Sequence, residues 1–204
     1  MIQKMILLCV SIFFVLAVSM LFLPKGSPVS SYTCLTEPKK RFMQDQKMMV
    51  VEAHGDPQKM SAQAVKMLFA MYFKIPGAPK GPKQPMPRVR RPAASDDATT
   101  PWTALYALPI PQRIEQLPEI SQEEGLSISI ATWKYGEVAE ILHRGPYSEE
   151  TATIDKLKNY INEQGDSIIA DNEEEYIKGP TMFSQGDPKK YCTIIRYCVT
   201  KKQP

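Results

Sequence analysis

Few residues in this chain are equipped for chemistry, and most stand alone. Glu173, Glu174 and Glu175 form the longest carboxylate run of the 204 residues. Such a run can hold a metal or an organic cation, but clustered like charges are also what keeps a loop in water, and the run reads as a solvated loop. There are two histidines, His54 and His143. His143 could act as a general base or a haem ligand. No Cys, Asp or second His accompanies it, so it reads as a turn histidine bonded to nearby backbone. The four cysteines are Cys9, Cys34, Cys192 and Cys198. Cys9 lies in an apolar stretch, and the three that remain give no disulfide framework. Cys192 and Cys198, six apart on one expected strand, are about 20 Å apart and cannot pair. With no CxxC spacing and distant histidines, neither a metal site nor a cofactor is expected.

Lys80, Lys83, Arg88, Arg90 and Arg91 fall in a Pro- and Gly-rich stretch, residues 75–101. Without interleaved aromatics this reads as a solvated loop rather than a polyanion surface. A net charge of +3 gives no argument for a nucleic-acid partner. Five aromatics, Trp102, Tyr106, Trp133, Tyr147 and Tyr176, can line an apolar pocket or fill a core.

The elements that must position these groups follow from periodicity. Residues 5–23 are almost all apolar, long enough to span a bilayer and long for a signal-peptide core. Residues 1–25 are therefore expected to be a transmembrane anchor or signal segment, and the protein to be membrane-anchored and single-pass. Lys4 before the stretch favours export, whereas Lys25, Lys39, Lys40 and Arg41 after it favour a cytoplasmic domain, so the side stays open. Residues 26–45 read as a tether and 46–204 as the folded domain. There, residues 49–53 form a strand and His54-Gly55-Asp56-Pro57 a turn. Met60, Ala64, Met67, Leu68, Met71 and Tyr72 recur at helical spacing over 58–74. Residues 102–110 form the next strand. Further on, Leu126, Ile128 and Ile130 alternate with Ser127, Ser129 and Ala131, and 138–143 is a strand. Ser148 caps a helix carrying Ile154, Leu157, Tyr160 and Ile161, which Gly165 ends. Residues 167–170 and 175–178 are short strands, and 191–199 is the last.

The two halves look alike. Val51-Glu52-Ala53-His54-Gly55-Asp56-Pro57 precedes one helix, and Ile141-Leu142-His143-Arg144-Gly145-Pro146 the other. The unit is strand, turn, helix and two strands, used over 46–115 and again over 125–200. The expected fold is α+β: duplicated βαββ units forming one antiparallel sheet with two helices on one face, plus an N-terminal hydrophobic helix.

The run from Ile141 to Tyr147, the helix ending at Gly165, and Glu175-Tyr176-Ile177-Lys178-Gly179-Pro180 before a terminal strand together resemble the GyrI-like domains. These are the effector-binding domains of AraC- and MerR-type regulators, in a fold group shared with SOUL haem-binding proteins. The resemblance is specific from about residue 126 to 199. It implies a small-molecule binder with a cleft between the repeats, lined by Trp102, Tyr106, Trp133, Tyr147 and Tyr176, and with the apolar run 5–23 the expectation is a membrane-tethered, stand-alone member. Relatives carry a glutamate on the last strand that reads cationic drugs or assists hydrolysis. Its place falls near Ile194, and no carboxylate occurs from Tyr191 to Pro204. Arg196 shares the face of Ile194. Such a cleft, with Arg196 at its rim, is expected to take a small apolar or anionic ligand, because burying an organic cation without a counter-charge costs several kcal/mol. No catalytic residue is assigned. The alternatives are an interaction scaffold that binds a protein partner through a closed cleft, and a hydrolase that takes its acid or base from Glu175 or Tyr176. The short tether leaves no room for a helix-turn-helix.

Overall fold

Period-two alternation dominates this chain, and strands outnumber helices accordingly. A computed structural model describes residues 35–91, 102–119, 123–180, 184 and 186–202. Its strands are Lys39–Met43 (β1), Gln46–His54 (β2), Arg88–Arg90 (β3), Thr103–Pro109 (β4), Leu126–Trp133 (β5), Gly136–Arg144 (β6), Asp166–Ile168 (β7), Glu173–Lys178 (β8) and Cys192–Lys201 (β9). They pair antiparallel in the order β1-β6-β9-β8-β3-β4-β2-β5, and β7 adds to the end of β9. Two helices, Pro57–Tyr72 (α1) and Glu150–Glu163 (α2), follow β2 and β6. The domain is thus α+β, with one large antiparallel sheet and two helices.

Local chemistry explains where the helices begin. The Asp56 carboxylate accepts from Gln58 N (2.8 Å) and Lys59 N (3.1 Å), and Pro57 takes the first helical position. The α1 stripe of Met60, Ala64, Met67, Leu68 and Met71 packs on Met49, Val51 and Ala53 of β2 and on Leu108 of β4. Helix α2 has no capping side chain. A 3-10 turn, Tyr147–Glu149, leads into it, and Ser148, expected as the cap, sits inside that turn. Leu157 and Ile161 of α2 pack on Ile141 of β6 and on Ile195 and Val199 of β9.

Register assigns the faces, since residues directly opposed on neighbouring strands point the same way. One row runs Val51–Tyr106–Val89–Glu174–Ile195–Ile141 across β2, β4, β3, β8, β9 and β6. Its first members pack with α1 and its last with α2, so both helices cover this side. The alternate row, Val50–Ala107–Arg88–Glu175–Ile194–Leu142, faces away from the helices.

The helix-free side is nevertheless an interior. Strands β5 and β6 lie six places apart in the sheet, which is roughly 29 Å if flat. Only Lys134 and Tyr135 join them, and three Cα steps reach about 11 Å. The sheet must therefore curl until its ends approach. Met43 of β1, Val138 of β6 and Cys198 of β9 accordingly pack with Met48 and Val50 of β2 and Trp133 of β5. Asp45 closes the seam, accepting from Tyr135 N (3.1 Å) and Lys134 Nζ (2.6 Å).

Four expectations need correction. Lys39–Met43, within the stretch read as a tether, is an edge strand paired with β6. The basic stretch 75–101 is not all loop, because β3 lies at the centre of the sheet. Glu173–Lys178 is a strand, so the triple glutamate is not a solvated loop. The expectation of a single-pass, membrane-anchored protein is overturned: no helix among the described residues is long and apolar enough to cross a membrane. The longer of the two helices has 16 residues and a polar face, whereas a span needs about 20 apolar ones. Residues 5–23, and the helix expected there, lie outside the described residues.

Candidate functional site

A band of polar and aromatic side chains crosses the covered face from α1 to α2. Tyr106 Oη donates to Ser61 Oγ on α1 (2.6 Å). Glu174 pairs with Arg91, Tyr176 Oη donates to Glu174 Oε2 (2.7 Å), and Arg91 Nη2 donates to Tyr176 Oη (3.1 Å). The Tyr176 ring lies 5.3 Å from that of Tyr147, which lies 5.2 Å from that of Tyr191. Glu150 opens α2 and is only 7% exposed. Its Oε1 lies beside the Thr193 hydroxyl of β9, which favours the ionised carboxyl, but the two fall short of full hydrogen-bond geometry.

The electrostatics of the band follow from burial. Burial first, and then the charge of Glu174, pushes the Glu150 carboxyl up to about 7. A carboxyl poised there can take or give a proton at neutral pH. Burial also raises the Tyr147 phenol, and burial with Glu174 raises that of Tyr176, so both stay protonated.

The opposite face holds an ionic network inside the curl. Arg196 is 1% exposed and donates to Glu140 Oε2 (2.9 Å), Glu173 Oε1 (2.6 Å) and Glu175 Oε2 (3.1 Å). Glu140 also accepts from Arg41 Nε (2.5 Å), and Glu173 from Arg90 Nε (3.0 Å) and Tyr135 Oη (2.8 Å). Arg88 Nη1 donates to Gln46 Oε1 (2.6 Å) and Tyr135 Oη (2.8 Å). The Arg90 guanidinium lies 4.0 Å from the centre of the Trp133 ring. Burial alone would raise both carboxylates. Arg41 and Arg196 outweigh it at Glu140, and Arg196, Arg88 and Arg90 outweigh it at Glu173, holding both below the usual carboxylate range. A cavity of about 430 Å³ borders this network, with Arg41, Arg88, Glu140, Glu175 and Arg196 in its wall.

The residues expected to share one cleft are thus divided by the sheet. Tyr106, Tyr147 and Tyr176 belong to the helix-covered side, and Trp102 packs with the α1 cluster there. Trp133, Ile194 and Arg196 belong to the inner side. Arg196 is not a rim cation. The last strand carries no carboxylate, and the three that its neighbours bring are all engaged by Arg196. Glu150, Thr193, Arg91 and Tyr191 were missed. Strand parity could have found Thr193, since 174, 176, 193 and 195 fall on one face of paired strands; Arg91, Glu150 and Tyr191 lie outside those strands and gave no such signal. His143 bonds Thr153 through Nδ1 (2.9 Å) and the Pro146 carbonyl through Nε2 (3.2 Å), which is local turn and helix bonding. Cys192 and Cys198 are free and buried.

No protein-family model and no curated protein matches the chain. Solved structures do. An uncharacterized conserved protein from Listeria innocua is 19% identical, with a TM-score of 0.66 over 84% of this chain and 96% of that one. A hydrolase from Listeria innocua is 18% identical, with a TM-score of 0.63 over 84% and 95%. The C-terminal domain of EcmrR is 11% identical, with a TM-score of 0.53 over 81% and 98%. These likenesses show the fold alone.

Proposed function

We propose that this chain is a small-molecule (effector) binding protein, with its ligand held against the helix-covered face between α1 and α2. The observation that carries the reading is Glu150, a buried carboxyl with only the poorly aligned Thr193 hydroxyl beside its Oε1, close to a run of three neighbouring tyrosines. A buried polar atom left unpaired costs about 1–3 kcal/mol, which a ligand that hydrogen-bonds Glu150 would recover. The ligand this fits is small and apolar, with one polar group. It would touch Tyr147 and Tyr176, with Tyr106 and Trp102 toward α1. The strand order supports a duplication whose first unit begins at β1, ahead of residue 46, and whose second begins at β5. Matching β1, β2, β3 and β4 with β5, β6, β8 and β9 makes the order read the same from either end.

A second reading, hydrolysis, gains support from one feature. Glu150, not Glu175 or Tyr176, is the carboxyl poised near neutrality, placed to act as a general base. Thermal-shift screening of the full chain against a metabolite library tests both. A ligand at 100 times its Kd stabilises by about 2.7 kcal/mol, worth about 5–11 °C in Tm. The binding reading expects hits that weaken in both Tyr147→Ala and Glu150→Gln. A hit unaffected by both variants would sink it. Turnover of a hit, abolished by Glu150→Gln, would favour hydrolysis.

A further inference from the structure

The cavity on the inner side has a composition that the ionic network does not use up. Its volume, about 430 Å³, falls in the range of small-molecule sites. Lys39, Arg41, Arg88 and Arg196 line it against two carboxylates, Glu140 and Glu175, while the ammonium of Lys40, also at its edge, pairs with Asp166 (2.6 Å). Both carboxylates are already engaged by Arg196, and Glu140 also by Arg41. Arg88 is 8% exposed, and its Nε has no hydrogen-bond partner; the nearest carboxylate oxygen, on Glu175, stands 3.5 Å away. Lys39 adds an exposed ammonium from the edge strand. Leu35, Met43 and Ile194 give the same cavity an apolar wall.

We propose that this cavity is a second binding site, taking an organic anion with an apolar body. The anionic head meets Arg88 Nε and Lys39, and the body lies along Leu35, Met43 and Ile194. A buried donor without an acceptor is satisfied better by a charged oxygen than by a neutral one. Both carboxylates of the wall are held by arginines, so an organic cation finds no unpaired counter-charge there. The site lies across the sheet from Tyr147, Tyr176 and Glu150, so it stands or falls apart from the function proposed above.

The test titrates the full chain with three probes: 2-naphthoate, the matched cation 2-naphthyltrimethylammonium, and acetate, which has the head without the body. Naphthoate is expected to bind about tenfold or more tightly than either of the others. Its amide shift changes should centre on Lys39, Arg41, Met43 and Ile194. Lys39→Glu, an exposed change that leaves the unfolding midpoint in place, should weaken naphthoate about tenfold. Arg88→Lys should weaken it as well; if that variant fails to fold, Lys39→Glu decides alone. Cation binding as tight as naphthoate overturns the proposal, as does Lys39→Glu without effect. Acetate binding equal to naphthoate overturns the apolar part. Shift changes centred on Tyr147 and Tyr176 would assign the anion to the other face and refute the second site.

Discussion

Arg196→Met removes one charge from the interior and leaves its side-chain length nearly intact. The three carboxylates it releases have exposures of 3%, 3% and 13% at Glu140, Glu173 and Glu175. Deleting one partner of a buried ion pair costs about 3–5 kcal/mol. Each carboxylate keeps a second cation: Arg41 at Glu140 (2.5 Å), Arg90 at Glu173 (2.9 Å) and Arg88 at Glu175 (3.5 Å). The loss should therefore fall at the lower end, about 3 kcal/mol, lowering Tm by about 6–12 °C. The pH dependence separates charge from packing. Glu140 and Glu173 sit below their ordinary range in the folded state. Their contribution is complete above the unfolded value, near 4.3, and is lost as pH falls through the depressed folded values. The gap between wild type and variant should be widest at pH 7 and shrink below about pH 4. Urea unfolding at pH 7, 5 and 3.5 measures it. A gap that stays constant with pH, or one under about 1 kcal/mol at pH 7, would refute the electrostatic account.

Three further perturbations probe other elements. Glu150 has a raised folded value, about 7, so its contribution is full below pH 4.3 and is lost as pH rises through 7. Glu150→Gln should therefore gain up to about 3 kcal/mol over wild type at pH 8 and nothing at pH 4, read by unfolding at both; a pH-independent difference would show that the ionisation is not perturbed. Asp56→Ala removes the α1 cap and should cost about 1 kcal/mol in denaturant unfolding. Gly125 has φ +76°, and a Cβ there would lie 2.8 Å from the His54 carbonyl oxygen. Gly125→Ala should cost more than the 1–2 kcal/mol or so of a left-handed residue alone, and a neutral result in the same assay would mean the turn relaxes freely.

What was legible in the sequence was what depends on neighbours in the chain. The α1 stripe from Met60 to Tyr72 is a helical period and is buried as such. Leu126, Ile128 and Ile130 alternate and lie on a strand that packs on the α1 cluster. The charged runs were misread because their partners come from far away. Arg196 reaches Glu173 across 23 residues, and Arg91 reaches Glu174 across 83. A window that counts charge sees three glutamates and infers water. The pairing sees three glutamates with arginines on both sides of a sheet. The single cleft was misjudged for a related reason: whether Tyr176 and Ile194 share a surface is a matter of register, and register is set between strands.

The register of β8 is held by charge as much as by apolar contact. Glu173 and Glu175 point into the curl, where Arg196, Arg90 and Arg88 meet them, and Glu174 points to the helices, where Arg91 and Tyr176 do. A slip by one residue would move every side chain to the other face. Glu174 would then stand alone inside the curl against the arginines that now hold two carboxylates, and two carboxylates would crowd the single Arg91 beside Glu150. Each face therefore specifies the other. The glutamate that most raises Glu150 by its charge is fixed in place by the two that neutralise Arg196, so the band proposed to bind ligand and the interior that stabilises the fold share one strand and one alignment.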